Sequence, residues 1–354
     1  MLSAPPFNWS RRRYSYAVVV GMTVLGLAFP HQAVWLLGVP LALGMVVLGI
    51  AHGACDQFVV PASQPSAPGR MGYRYWVRFL VSYLGLAGVV GVLWWQWPAA
   101  TVGIFFLLTV WHWGSADAPS GPQVAPKWWL AHSLLRGLLL FAVPTWCWPT
   151  ETAGIVNGLL AFVGARTIAP ATFAQAAVVL GSIVAVGHLA LWLRYSLRRQ
   201  YGLLRLDLLE LLMLIGLFVA LPPKLSVAVY FVFWHSLQHV LRLNGWLGYA
   251  SAGHRSVTWT DLLAQMKFFL RRAAPILFVS CVALLLLGRV LAAQLTDAGA
   301  WFSLALVVAS VVTLPHALLV TLVMDAPQWH KLPISKSWHL ARPTLRNWSL
   351  RKHP

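Results

Sequence analysis

Charged residues are scarce in this 354-residue chain, and acidic ones are the scarcest. Asp, Glu, Lys and Arg together make up 10% of the residues, whereas a soluble domain typically has about 25%. Only 8 residues are acidic, against 26 lysines and arginines, so the formal net charge is +18. With 59% hydrophobic residues and a mean hydropathy of +0.71, this composition excludes an ordinary soluble protein and indicates a polytopic membrane protein.

Cysteine is rare, and several catalytic motifs are missing. Cys55, Cys147 and Cys281 are scattered, form no CxxC pair, and exclude a disulfide framework. The chain contains no HExxH of a zincin protease, no CxxCH of a c-type haem protein, and no GxSxG, P-loop or GxGxxG in a suitable context. It has one HxxxH pair, which excludes the membrane di-iron desaturases because those enzymes need several histidine boxes.

Long apolar runs fill most of the chain and predict an all-α, polytopic transmembrane helical bundle. A helix that crosses the bilayer needs about 20 mostly apolar residues. We predict a basic arm over 1–13, a transmembrane catalytic domain over 14–325 and a basic tail over 326–354. By this criterion about ten spans occupy residues 14–30, 33–52, 75–97, 99–114, 128–148, 173–193, 207–222, 224–243, 273–292 and 299–323.

The basic residues orient this bundle. With an N-terminus on the inside, the inside segments and adjoining span ends hold nearly all lysines and arginines, as the positive-inside rule requires. The rule predicts that both termini are cytoplasmic, in a plasma or inner membrane, and it explains the net charge without nucleic acid. The apolar stretch Thr152–Gly164 is short, and counting it as an eleventh span would place Arg194, Arg198 and Arg205 outside. We therefore predict a surface or re-entrant segment there.

Five of the 12 histidines lie within these apolar runs. They are His52, His112, His235, His239 and His316, and the predicted topology places all five at similar depth on the cytoplasmic side. An imidazole at membrane depth costs free energy unless it is paired or binds something, so each is a candidate site residue.

A metal would explain this group. His235 and His239 are four residues apart, which puts both on one helix face. Together with His52 and His112 they would offer four neutral imidazoles, a set that suits Fe(II), Cu or Zn. His316 follows Pro315, and three roles stay open for it: a fifth ligand, a donor of a hydrogen bond to a ligand, or a residue of the substrate pocket.

Acidic residues follow two of the histidines. Asp56 and Asp117 come four and five residues after His52 and His112. A carboxylate that accepts the distal N–H of a ligating imidazole fixes its orientation, so both aspartates are candidates to orient a ligating histidine; capping of helix ends is the alternative. Elsewhere, we expect Asp207 and Glu210 to pair with basic groups such as Arg205 or Arg242.

Aromatic residues flank the same histidines. Trp111, Trp113, Phe231 and Trp234 are candidates to line a pocket for a flat apolar ligand. An interfacial aromatic belt explains the tryptophans equally well.

The histidine clusters resemble those of one enzyme family. HGACD at 52–56, WHWGSAD at 111–117, FWHSLQH at 233–239 and LPHALLV at 314–320 resemble the Brp/Blh family of membrane β-carotene 15,15'-dioxygenases. The resemblance covers about residues 40–325. It implies an iron enzyme that splits β-carotene with O2 at its central double bond into two all-trans retinals, with Fe(2+) held by His52, His112, His235 and His239. It also implies a link to a retinal-binding rhodopsin.

Because a hydrocarbon offers no hydrogen-bonding group, selectivity for the central bond would have to come from the shape of an apolar tunnel reached from the bilayer. Two other classes stay open. A non-enzymatic carotenoid- or retinal-binding assembly factor for a rhodopsin would bind pigment without turnover. A histidine-lined metal or proton transporter would show flux, but the outer halves of the spans have few ionisable groups for a through-path.

Overall fold

The computed structural model describes residues 9–63, 72–119, 124–249 and 258–329. Every regular element in these ranges is helical, which confirms the predicted fold class there. The helices, numbered in chain order, are α1 Trp9–Ala28, α2 Pro30–Ser63, α3 Tyr73–Gln96, α4 Pro98–Asp117, α5 Pro126–Cys147, α6 Pro149–Phe162, α7 Pro170–Leu197, α8 Tyr201–Ala220, α9 223–246, α10 Trp259–Val290, α11 Ala298–Met324 and α12 Ala326–Trp329.

Seven of the described helices, α2–α5, α7, α10 and α11, are apolar and long enough to cross a bilayer. Large apolar side chains on them face outward, for example Trp35 with 86% and Val290 with 80% of its surface exposed. Such exposure is expected where lipid replaces water as the solvent. The chain is therefore a membrane protein. Each of the ten predicted spans coincides with a helix, but the count of spans and the side of the termini stay predictions, as does the division into arm, domain and tail.

Proline begins many of these helices and also turns the chain. Phe29, Trp97 and Trp148 each precede a proline, and their N–H groups still bond to the carbonyl four residues back. Proline lacks an N–H and disfavours a helical conformation in the residue before it. One helix therefore ends and the next begins within a single residue, which joins α1 to α2, α3 to α4 and α5 to α6 without a loop.

Helices α1, α8 and α10 begin well before the predicted spans; α8 begins at Tyr201 rather than at 207. Helix α1 begins at Trp9 rather than near 14, so Arg12 lies inside the bundle instead of in a cytoplasmic arm. Helix α10 begins at Trp259, well before the predicted span 273–292. The Thr258 side chain accepts a hydrogen bond from the Asp261 N–H and caps the helix there. Residues 1–8 of the arm and 330–354 of the tail lie outside the described residues.

A buried ionic network joins α1, α5 and α8. The Arg136 guanidinium contacts Asp207 at 2.8 Å and Glu210 at 3.1 Å, and Arg12 contacts Glu210 at 2.8 Å. His132 lies 2.8 Å from the same Asp207 carboxylate. Because an unpaired charge is costly inside a membrane protein, each of these ions has its counter-ion within the bundle.

Asp207 and Glu210 pair with basic groups, as expected, but the two partners named as examples, Arg205 and Arg242, are wrong for the described residues. Arg205 is exposed, and Arg242 pairs with Asp325 instead. The two carboxylates face the bundle interior, where Arg136 and Arg12 are the cations within reach.

Helices α4 and α5 approach each other unusually closely. A Cβ atom on Gly114 would overlap the Ser133 carbonyl oxygen, and one on Gly137 would overlap the Val110 carbonyl. Small residues at a crossing let two backbones touch, which is a common way to pack helices in membranes. This contact holds α4 against α5 at Gly114, two residues after His112.

Candidate metal centre

Three π-helical segments carry or adjoin the histidines of interest. Met45–Ile50 ends shortly before His52, Tyr230–Ser236 contains His235, and Val320–Met324 begins four residues after His316. A π turn is rare, holds one residue more than an α turn, and is frequently found at functional sites. The hydropathy pattern of the sequence did not indicate these segments, because it reports only which residues are apolar.

The five predicted histidines converge into one buried cluster. Ring nitrogens of His52, His112 and His235 all lie within 4.8 Å of one another. The His316 ring centroid lies 4.8 Å from that of His52 and 4.9 Å from that of His112. His239 lies 5.4 Å from His52 and 5.3 Å from His316 by the same measure. None of the five is more than 8% exposed.

Most of the ring nitrogens in the cluster have no hydrogen-bond partner among the described residues. Both nitrogens of His112 and His235 are unpartnered, as are Nε2 of His239, Nε2 of His316 and Nδ1 of His52. A buried polar atom without a partner is costly, and native proteins have few of them. Five neutral imidazoles with free lone pairs are a donor set that fits Fe(II), Cu or Zn.

Asp56 binds His316 rather than His52. Both Asp56 oxygens lie 2.9 Å from Nδ1 of His316, and the Tyr83 hydroxyl donates to Oδ2 at 3.0 Å. The carboxylate is 1% exposed. Asp56 therefore orients an imidazole, but on α11 and not on its own helix. No signal in the sequence pointed to Tyr83.

Asp117 touches no histidine of the cluster in the described structure. It accepts a hydrogen bond from the Tyr230 hydroxyl at 2.8 Å and another from the Trp234 indole N–H at 3.0 Å. Both donors belong to the π segment that carries His235. Asp117 thus ties the end of α4 to the backbone segment that holds a ligand candidate.

Two of the four aromatic candidates lie against the cluster. Trp113 and Phe231 stack with ring centroids 5.2 Å apart, and they lie 5.6 and 5.9 Å from the His235 ring. Phe231 also lies 5.6 Å from His52. Both are half-buried, so they form an aromatic wall beside the histidines.

The other two aromatic candidates are held elsewhere. The Trp234 indole is fully buried against Asp117 and the Tyr16 ring. The Trp111 indole N–H donates to the Thr321 hydroxyl at 3.0 Å. Both indoles make contacts between helices, and these contacts differ from the ring contacts that Trp113 and Phe231 make with the histidines.

A polar contact closes the cluster at the end of α11. Arg242, one turn after His239, donates to Asp325 and to the Met324 carbonyl, both at 2.7 Å. Burial raises the pKa of the Asp325 carboxyl, although Arg242 opposes that shift. The Ser115 hydroxyl approaches the same carboxylate at 3.4 Å. This contact joins α4, α9 and α11 beside the histidines.

A buried polyhistidine cluster inside a bundle of apolar helices defines a membrane protein with a candidate metal centre. The chain belongs to the beta-carotene 15,15'-dioxygenase family, whose model matches residues 43–324. That range contains all five histidines, Asp56, Tyr83 and Asp117. The match confirms the resemblance that the histidine motifs predicted.

Two relatives bear similar descriptions. The chain is 30% identical over 303 residues to the Halobacterium salinarum protein described as a probable beta-carotene 15,15'-dioxygenase Blh. This alignment covers 80% of this chain and 83% of that protein. It is 30% identical over 203 residues to a beta-carotene 15,15'-dioxygenase of uncultured marine bacterium 66A03, which covers 56% of this chain and 66% of that protein. No solved structure matches the chain significantly.

Proposed function

We propose that this protein cleaves β-carotene with O2 at the central 15,15' double bond and releases two molecules of all-trans retinal. Membership of the dioxygenase family supports the reaction. The observation that carries the proposal is the buried histidine cluster, because several unpartnered imidazole nitrogens that converge inside a lipid-facing bundle form a ready set of metal ligands.

We assign the metal to His52, His112, His235 and His239, and we propose that it is iron. Iron(II), when bound, would supply activation of O2, which an organic side chain cannot provide. The protein's own contribution is to hold four neutral imidazoles in place and to keep the site dry. Burial of all four side chains and the contact of Arg242 with Asp325 beside them support this role.

The polyene offers no polar group, so it must be positioned by apolar contact alone. The aromatic wall of Trp113 and Phe231 lies against His235 and His52, where a flat conjugated chain would stack beside the metal ligands. A substrate dissolved in lipid would enter between helices without crossing water. We therefore place the protein in the cell or plasma membrane as a multi-pass enzyme, with its product available to a retinal-binding rhodopsin.

The test is retinal formation in a bacterium that accumulates β-carotene. We expect loss of carotene colour with retinal as the main product in the wild type, and neither in the His52→Ala and His235→Ala variants. His188→Ala is the matched control, because His188 is a buried imidazole on α7 whose Nδ1 contacts the Val184 carbonyl at 2.8 Å. Carotene bound without turnover would instead indicate an assembly factor. Retinal formation by the His235→Ala variant would refute the assigned site.

A further inference from the structure

The surroundings of His316 are those of a metal ligand rather than of a residue that orients another ligand. Its ring packs against those of His52 and His112, and the two centroid distances of 4.8 and 4.9 Å are the shortest measured within the cluster. A residue that only supported another imidazole would instead contact that imidazole by a hydrogen bond. The hydrogen-bond partner of His316 is Asp56.

The contact with Asp56 fixes which nitrogen is free. With Asp56 ionised, its oxygens only accept hydrogen bonds, and we assign the proton of this 2.9 Å contact to Nδ1 of His316. In a neutral imidazole the lone pair then resides on Nε2. That atom is fully buried and has no hydrogen-bond partner among the described residues. Carboxylate on one nitrogen and an unshared lone pair on the other is the usual arrangement of a metal-ligating histidine.

The carboxylate is itself held in place. Tyr83 on α3 donates to Asp56 Oδ2 at 3.0 Å, so a chain of contacts runs from α3 through α2 to His316 on α11. The α-helical backbone of α2 is interrupted after Gly53, and a short 3₁₀ turn over Asp56–Phe58 carries the carboxylate that contacts His316. A dication bound by neutral imidazoles alone would leave its charge uncompensated in a low dielectric. Asp56 is the anion in direct contact with the cluster.

We propose that His316 binds the metal through Nε2 as a fifth imidazole, and that Asp56 and Tyr83 are positioning residues that orient it. This inference rests on the metal centre assigned above and adds one ligand to it. A purely structural His316–Asp56 pair would also join α2 to α11, but it would not account for an unpartnered Nε2 on a ring that packs against three other imidazoles.

The test is metal binding by the purified full-length protein in detergent, with cobalt(II) as the probe because its visible spectrum reports the number and kind of ligands. We expect Asp56→Asn to weaken cobalt affinity by about 10–100-fold, the usual effect of losing a carboxylate behind a histidine ligand. Tyr83→Phe should weaken it less. His316→Ala should weaken it more than Asp56→Asn and change the spectrum, whereas His188→Ala should change neither.

Chemical rescue separates ligation from folding. Free imidazole added to His316→Gly should restore the wild-type cobalt spectrum, whereas pyrrole, which has the same shape but no available lone pair, should not. If His316→Ala fails to fold, His316→Gln replaces it in the titration. The cobalt affinity of Asp56→Asn and the imidazole rescue of His316→Gly then decide whether His316 binds the metal.

The outcomes distinguish the two proposals. Unchanged affinity and spectrum in the His316 variants, with both altered in His52→Ala and His235→Ala, would leave the metal centre standing and overturn the fifth ligand. No cobalt binding by folded wild-type protein would overturn both. Rescue by pyrrole as well as imidazole would show that His316 only fills space.

Discussion

Removing the Asp117 carboxylate should loosen the segment that carries His235. Asp117 is 3% exposed and accepts hydrogen bonds from Tyr230 and Trp234. In Asp117→Ala both donors stay buried without a partner, and each such group costs about 1–3 kcal/mol, so we expect a loss of about 2–6 kcal/mol in the free energy of unfolding. Tyr230→Phe removes one bond and leaves Asp117 with the other, so it should cost about 1.5–3 kcal/mol.

The assay is equilibrium unfolding in detergent, with metal affinity measured on the folded variants. Because the two changes remove the same hydrogen bond, the double variant Asp117→Ala/Tyr230→Phe should lose less stability than the sum of the single variants. We also expect weaker metal binding in Asp117→Ala, since the tether of His235 is lost. Strict additivity, or a folded Asp117→Ala protein with wild-type stability and wild-type metal affinity, would refute this account of the segment.

Two further predictions concern packing and selectivity. Gly114→Ala should destabilise the bundle by at least about 1–3 kcal/mol in thermal unfolding, because its Cβ would overlap the Ser133 carbonyl. Gly103→Ala is the control on the same helix; it has open space around it and should be neutral or slightly stabilising. Trp113→Ala and Phe231→Ala should shift cleavage toward off-centre products, seen by chromatography of the aldehydes, while metal content stays near wild type; loss of metal with unchanged products would contradict a positioning role.

Composition and spacing were enough to predict the helices and the histidine cluster. Apolar runs determine where helices form, and the shared depth of His52, His112, His235, His239 and His316 follows from counting residues along them. The structure brings all five rings together, while their role as metal ligands stays a prediction.

Partners across the bundle could not be predicted in the same way. Asp56 follows His52 in the chain but bonds to His316, which is 260 residues away, and Tyr83 joins it from a third helix. Hydropathy sets the depth of a residue in the membrane, while the rotation of each helix about its axis decides which residues meet. That rotation depends on close contacts such as the one at Gly114 and on the π segments, neither of which changes the apolar pattern.

The three π segments make the site sensitive to the number of residues as well as to their identity. Each residue advances a regular helix by about 100° and 1.5 Å. Because a π turn holds one residue more than an α turn, deleting a single residue from Tyr230–Ser236 would leave the helix on either side nearly in place, yet it would change the direction of side chains within the segment, including His235, by up to about 100°. Insertions and deletions should consequently be confined to the connecting segments in functional members of the family, while the outward apolar faces of the same helices remain free to vary in sequence.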